Sequence, residues 1–136
     1  MAANSRFAVA THILVSLGLS GERRQNSGEI AQSVNTNPVV IRRILLLLKD
    51  AGLVDARTGK SGGVRLAKPV SRISLLDVYR AVEEGGVFAF NPNEANKNCP
   101  LSCSMKKVLG PVFQGAEKAL EGHLAKLTLS DLIEKI

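Results

Sequence analysis

The segment from Ser27 to Gly52 leaves little freedom in what this chain can fold into. Two helical stretches abut at Asn35-Thr36-Asn37-Pro38, and one tetrapeptide both ends the first and starts the second. Asn37 suits the N-cap, and Pro38 suits the first helical position, where the donor it lacks would have no partner anyway. Two helices joined by so tight a turn make a helix-turn-helix. The first is short. It comes after the polar loop GERRQNSG, takes Ser27 as N-cap with Glu29 in its first turn, and gathers Ile30, Ala31 and Val34 on one face.

The second helix, PVVIRRILLLLKDAG, resolves into two faces when its residues are placed about 100° apart. Ile41, Ile44, Leu45 and Leu48 cluster on the side that must meet a core. Arg43 and Val39 point almost the opposite way, with Arg42 and Val40 on the flanks and Leu46 on the same outward side. Arginines and small apolar groups on an exposed first turn suit guanine edges, thymine methyls and phosphates. The same pattern suits a solvated face with two ordinary arginines, and the helix alone leaves both open.

The segment after this helix narrows the choice. Gly52 is expected to end the helix, and LVDARTGKSGGVRLAKP then sets two short extended runs around a glycine-rich turn, with a proline closing the second. The Gly-Lys-Ser within it invites comparison with a nucleotide phosphate loop. Such a loop needs G-x-x-x-x-G-K-[ST] between a strand and a helix. Val54 stands where the first glycine should be, and a strand-like VRL comes after Gly62-Gly63, so the motif and its context both fail. A hairpin wing fits: Gly59, Gly62 and Gly63 permit the positive backbone angles of a tight turn, and Arg57, Lys60 and Arg65 surround it with positive charge. The expected fold class is mainly α with a small β-hairpin, a winged helix-turn-helix extended by a long C-terminal helix.

Farther along, Ile73 to Val82 has complete helix-start grammar, with Ser74 as N-cap, Asp77 at the capping-box position and Ile73 able to staple to Val78. The pattern recurs at Leu127-Thr128-x-x-Asp131-Leu132, predicting a last short helix from Leu129. Between them, GGVFAFNPNEANKN reads as a loop. From about Cys103 to Lys126, Met105, Leu109, Val112, Ala116, Leu120, Leu124 and Leu127 form an apolar seam that one helix cannot bury alone. Pro111 predicts a kink near Gly110. Dimerisation through this seam is favoured over packing back onto the chain, because two-fold symmetry would set two recognition helices about 34 Å apart on successive major-groove faces. The layout expected is a DNA-binding domain over 1–84, a cysteine-bearing loop over 85–102, and a dimerisation helix with a short C-terminal helix over 103–136.

Charge agrees with a polyanionic partner. Residues 1–80 carry 12 Lys and Arg against 5 Asp and Glu, and residues 81–136 carry 6 against 7, so the +6 of the chain sits in its N-terminal part. That concentration disfavours a winged helix used for protein contacts alone. An enzyme handling nucleotides is disfavoured too, since no carboxylate and nucleophile constellation accompanies the GKSGG run. The apolar stretch FAVATHILVSLGL is not followed by an A-x-A cleavage site, and Phe7, Ala10, Leu14 and Leu17 recur at helical spacing, so it predicts a core helix of a cytoplasmic protein.

Taken in order, NPVVIRRILLLLKDAGLV, RTGKSGGVRL, SLLDVYRAVE, a cysteine-bearing loop and a long helix ending in LTLSDLI resemble the Rrf-type family of bacterial winged-helix transcriptional regulators over nearly the whole chain. The G-x-x-GG wing of AGLVDARTGKSGGVRLAKP, with ISLLDV after it, carries the resemblance most specifically. It implies a homodimer that binds pseudo-palindromic promoter DNA, usually as a repressor, with Pro38 to Ala51 as recognition helix and Gly59 to Gly63 as wing. The DNA-contacting set expected from the residues and the resemblance together is Ser27, Pro38, Val39, Val40, Arg42, Arg43, Arg57, Lys60, Ser61, Gly62, Gly63 and Arg65.

Many members of that family sense iron-sulfur status, nitric oxide or redox state through three cysteines before the dimer helix. This chain has two, Cys99 and Cys103. An iron-sulfur cluster wants four protein ligands, and neither His12 nor His123 has the family's ligand spacing, so no cofactor is expected, with an iron-sulfur-cluster sensor kept as the lesser alternative. No second C-x-x-C or His-x-x-His supports zinc. A thiol switch stays open, because Cys103 is expected in the first helical turn with Lys106 and Lys107 one turn on, where dipole and lysines favour the thiolate. A pair of inert or packed cysteines fits the pattern slightly better.

Overall fold

The computed structural model describes residues 5–136. In chain order it contains α1 (Arg6–Ser20), α2 (Ser27–Val34), α3 (Pro38–Asp50), β1 (Val54–Arg57), β2 (Gly63–Leu66), a 3-10 turn (Val70–Arg72), α4 (Leu75–Val82), α5 (Pro100–Ala125) and α6 (Leu129–Ile133). These form two compact units. One runs to Glu83 and takes in Leu124–Ile136, and the other is Glu84–His123.

The first unit is built around α1, whose Ala10, Ile13, Leu14 and Leu17 are fully buried. Their spacing turns one stripe inward, and α2, α3, α4, α6 and β2 all pack against the helix. From α3 come Ile41, Ile44, Leu45 and Leu48, the four residues that the helical wheel turns inward. Ile30, Ile73, Val78, Val82 and Leu129 complete the core. Burying a side chain of this size contributes about 1.5–3 kcal/mol. The sequence groups the last helix with the long one; α6 instead packs on α1 and the 3-10 turn. Backbone bonds tie it in, from Leu75 N to Leu127 O at 2.8 Å and from Leu129 N to Ile73 O at 3.0 Å. Both expected capping boxes form, Ser74 with Asp77 and Thr128 with Asp131.

Three local expectations need correction here. Asn26, not Ser27, caps α2: its Oδ1 accepts from Glu29 N at 2.8 Å, while its Nδ2 donates to Glu29 Oε1 at 3.0 Å. A reciprocal cap needs Glu at the third helical position, and only Asn26 has Glu29 there. Gly62 has no positive φ. It is required for room, since a Cβ there would lie 2.4 Å from Arg57 O. Gly52 has φ 76, but it lies just beyond the cap residue Ala51. Its N–H reaches Lys49 O at 2.9 Å and Leu53 N–H reaches Leu48 O at 3.0 Å, the two bonds of a Schellman ending.

In the second unit α5 begins at Pro100, three residues ahead of the expected start, and runs unbroken through Gly110 and Pro111. Pro111 is exposed, and its ring takes one donor out of the helix ladder without ending the helix. The expected seam divides. Leu109 and Leu120 are half-buried, whereas Met105 and Val112 are exposed and share an outward row with Leu101 and Val108. The cause is the loop before the helix. Phe88 and Phe90 stack on Phe113 at 5.2 and 5.0 Å between ring centroids, covering the Leu109 side and leaving the other row open. Val87 N donates to Glu117 Oε2 at 3.1 Å and holds the loop in place.

Candidate nucleic-acid interface

The turn between α2 and α3 is fixed by its asparagines. Asn35 adopts the left-handed conformation, φ 62, and Thr36 N donates back to Ala31 O at 3.0 Å. Asn37 Oδ1 accepts from Val39 N at 2.8 Å, so α3 starts at Pro38 as its sequence dictates. His12 Nε2 and Ser33 Oγ, 3.1 Å apart, link α2 to α1. With the α3 core row buried, Pro38, Val39, Arg42, Arg43 and Leu46 are exposed and Val40 is half-buried. Neither arginine forms an ion pair among the described residues.

The hairpin after α3 pairs Val54 with Leu66, Asp55 with Arg65, Ala56 with Val64 and Arg57 with Gly63. The outer edge of β2 is occupied. Gln25 N donates to Val64 O at 2.9 Å and Val64 N to Gln25 O at 2.8 Å, so the loop between α1 and α2 supplies a third, one-residue strand. The approach is close enough that a Cβ on Gly63, φ 117, would lie 2.8 Å from Gln25 O. Gln25 is the buried polar residue here, and its side chain bonds Ser16 O at 3.1 Å and Ser20 Oγ at 3.1 Å.

Beside it, Arg24 clamps both strands. Nη1 donates to Asp55 O at 3.0 Å and Gly63 O at 3.1 Å, Nη2 reaches Asp55 Oδ2 at 2.6 Å, and the side chain is only 10% exposed. The Arg24 hydrogen bond holds the Asp55 carboxyl below its ordinary value of 3.8, with Arg24, Arg57 and Arg65 charges adding to the effect and burial opposing it.

The wing cations therefore fall into two groups. Arg57 and Lys60 are exposed at the turn beside Ser61 and pair with no carboxylate among the described residues. Arg65 is engaged: Nη1 bonds Glu22 Oε2 at 2.6 Å and Nε lies 3.7 Å from Asp55 Oδ2. Of the residues singled out in the sequence, those on α3 and on the wing are presented by one unit. Ser27 is half-buried at the start of α2 and contributes no cap, and Gly62 and Gly63 shape the turn. Sequence reasoning missed Glu22, Arg24, Gln25 and Asp55. Nothing local marks GERRQN as a partner of the hairpin some forty residues on.

A family model described as Rrf2, iron-dependent transcriptional regulator, matches residues 3–135. The chain belongs to the Rrf2 family. It is 40% identical over 134 residues to YwnA of Bacillus subtilis (strain 168), named as an HTH-type transcriptional regulator, with 98% of each chain covered. A crystal structure described as that of a DNA-binding protein superposes with a TM-score of 0.77 at 40% identity, covering 95% of this chain and 99% of that one. The IscR of T. potens shares the fold, with a TM-score of 0.73 at 21% identity over 99% of this chain and 88% of its own. As a transcriptional regulator of this family the protein is not an enzyme, and no helix among the described residues is long and apolar enough to cross a membrane.

An iron cofactor, as the family description implies, finds no fitting donor set among the described residues of one chain. No three His, Cys, Asp or Glu converge among the described residues. The two sulfurs have other partners. Cys99, half-buried just before α5, accepts from Ser102 N at 3.5 Å, and Cys103, exposed, donates to Asn96 O at 3.5 Å.

Proposed function

We propose that this Rrf2 regulator is a sequence-specific, homodimeric repressor acting on DNA in the cytoplasm, with Arg42 and Arg43 in the major groove and Arg57 and Lys60 on flanking phosphates. The observation that carries it is the first half of α3, where two arginines without ion-pair partners among the described residues stand beside exposed Val39. Val39, Val40 and Pro38 supply the apolar contacts that thymine methyls need. The wing supplies charge without base readout. Dimerisation uses the exposed row Leu101, Met105, Val108 and Val112, spaced at 4, 3 and 4, which is the spacing of a two-helix seam.

Selection of genomic fragments by the purified protein tests this reading. Enrichment of a common pseudo-palindrome is expected, and recovery of fragments in their input proportions would refute it. The cysteines carry a subsidiary proposal of redox control, supported by an exposed Cys103 four residues after Cys99. Mild oxidation should change DNA affinity in the wild type and leave Cys103→Ser unchanged; identical behaviour of the two removes the switch.

A further inference from the structure

Arg65 is the wing cation whose charge is already answered. Its Nη1 meets Glu22 Oε2 at 2.6 Å, and its Nε faces Asp55 Oδ2 at 3.7 Å. These two carboxylates are not equivalent. Asp55 is committed to Arg24 at 2.6 Å, and Arg24 is anchored on the two carbonyls of the hairpin. Glu22 stands in the turn after α1 with its side chain 93% exposed, and no hydrogen bond other than that to Arg65 holds it among the described residues. Arg65 itself is 35% exposed, on the β2 strand that the Gln25 bridge and β1 fix on both sides.

A guanidinium presents its donors to a carboxylate as it would to a phosphate, and the two anions compete for one fork. We propose that Glu22 is an internal stand-in for a DNA phosphate: it occupies Arg65 in the free protein and is displaced by the backbone when the wing docks. The inference rests on the proposed wing contact with DNA and adds to it a residue that sets affinity by competition. Exchange is easy on one side and restrained on the other. Glu22 can swing into water at little cost, while Arg65 is tethered by its strand at the base of the wing and stays where a phosphate can reach it.

An exposed ion pair of this kind is weak, so its release should tighten DNA binding only about two- to five-fold at low salt. Removing any carboxylate near DNA also lowers repulsion, and a coupling measurement separates the two effects. The experiment measures anisotropy of a fluorescein-labelled, mixed-sequence DNA duplex titrated with the full chain at several salt concentrations. The proteins are wild type, Glu22→Gln, Arg65→Gln and the double variant.

The gain from Glu22→Gln should be present with Arg65 and vanish with Gln at position 65. Arg65→Gln alone should weaken binding and make the slope of log affinity against log salt shallower by about 0.9. A gain equal in both backgrounds would mean general repulsion and overturn the competition, as would no gain at all. An Arg65→Gln variant with unchanged affinity and slope would instead overturn the wing contact on which the proposal stands. The melting temperature of Glu22→Gln should lie within about 4 °C of wild type, and a much larger fall would assign the pair to folding rather than to exchange.

Discussion

Replacing Arg24 by Met removes the guanidinium and keeps a stem of similar length, so packing changes little while three contacts disappear. Two of these run from Nη1 to the backbone carbonyls of Asp55 and Gly63. A hydrogen bond from a charged donor is worth about 1.5–3 kcal/mol. The side chain is 10% exposed, so water cannot fully replace it, but the hairpin edge lies near the surface and the lower part of the range applies. The pair should therefore contribute about 3–4 kcal/mol, with nothing added for the solvent-screened contact to the Asp55 carboxylate. For a unit of this size each kcal/mol moves the melting temperature by at least about 4 °C. Arg24→Met should then melt at least about 12–16 °C below wild type by circular dichroism. The neighbouring Arg23 supplies the control, because its pair with Glu29 joins side chains 63% and 44% exposed. Arg23→Met should shift melting by no more than about 4 °C. Equal shifts for the two variants would refute the clamp.

Lys60→Ala should weaken binding to every DNA sequence alike and make the salt slope shallower by about 0.9, measured by the same titrations. Arg43→Ala should cost about 1–3 kcal/mol at one operator position and relax specificity there, read by selection from a randomised duplex library. Asp55 has its folded pKa lowered from 3.8, so the stability it adds is present above that value and is lost as the pH falls through the lower folded one. Urea midpoints of Asp55→Asn should accordingly fall less than those of wild type on going from neutral pH to pH 3.8 and below. Val108→Asp, on the exposed row of α5, should yield a monomer by sedimentation with α-helical content retained; an unchanged dimer would move the interface elsewhere.

What can be read directly from the sequence is what one turn of chain decides for itself. Asn37-Pro38, Ser74-x-x-Asp77 and Thr128-x-x-Asp131 place helix starts correctly because the capping atoms and the donors they satisfy lie within three residues. Even the cap of α2 is decidable locally, since Asn26-x-x-Glu29 has the reciprocal spacing and Ser27-x-x-Ile30 does not. The core face of α3 emerges from periodicity for the same reason. Arg24 and Gln25 cannot be found this way. Their partners in the hairpin lie 31 to 39 residues away, and their value arises only when β2 comes to rest against the loop. The outward row of α5 escapes the sequence for a related cause: the helical seam has two candidate apolar sides, and the packing of Phe88 and Phe90 on Phe113 decides which is covered.

The Gly-Lys-Ser-Gly-Gly run shows how one motif divides once the backbone is known. Gly59 bends the chain, with φ 94 and open space about it, so its role is conformational alone. Gly62 is needed for space within the turn, and Gly63 for both, since its φ of 117 brings β2 within bonding distance of Gln25. A phosphate loop would aim the N–H groups of such glycines at its ligand. Here Gly62 N is spent on Gly59 O at 3.0 Å, and Val64 N on Gln25 O at 2.8 Å. With those donors turned inward, the proposed anion contact at this turn falls to side chains, the flexible point charge of Lys60 and the guanidinium of Arg57, which suits a repeating backbone rather than one enclosed phosphate.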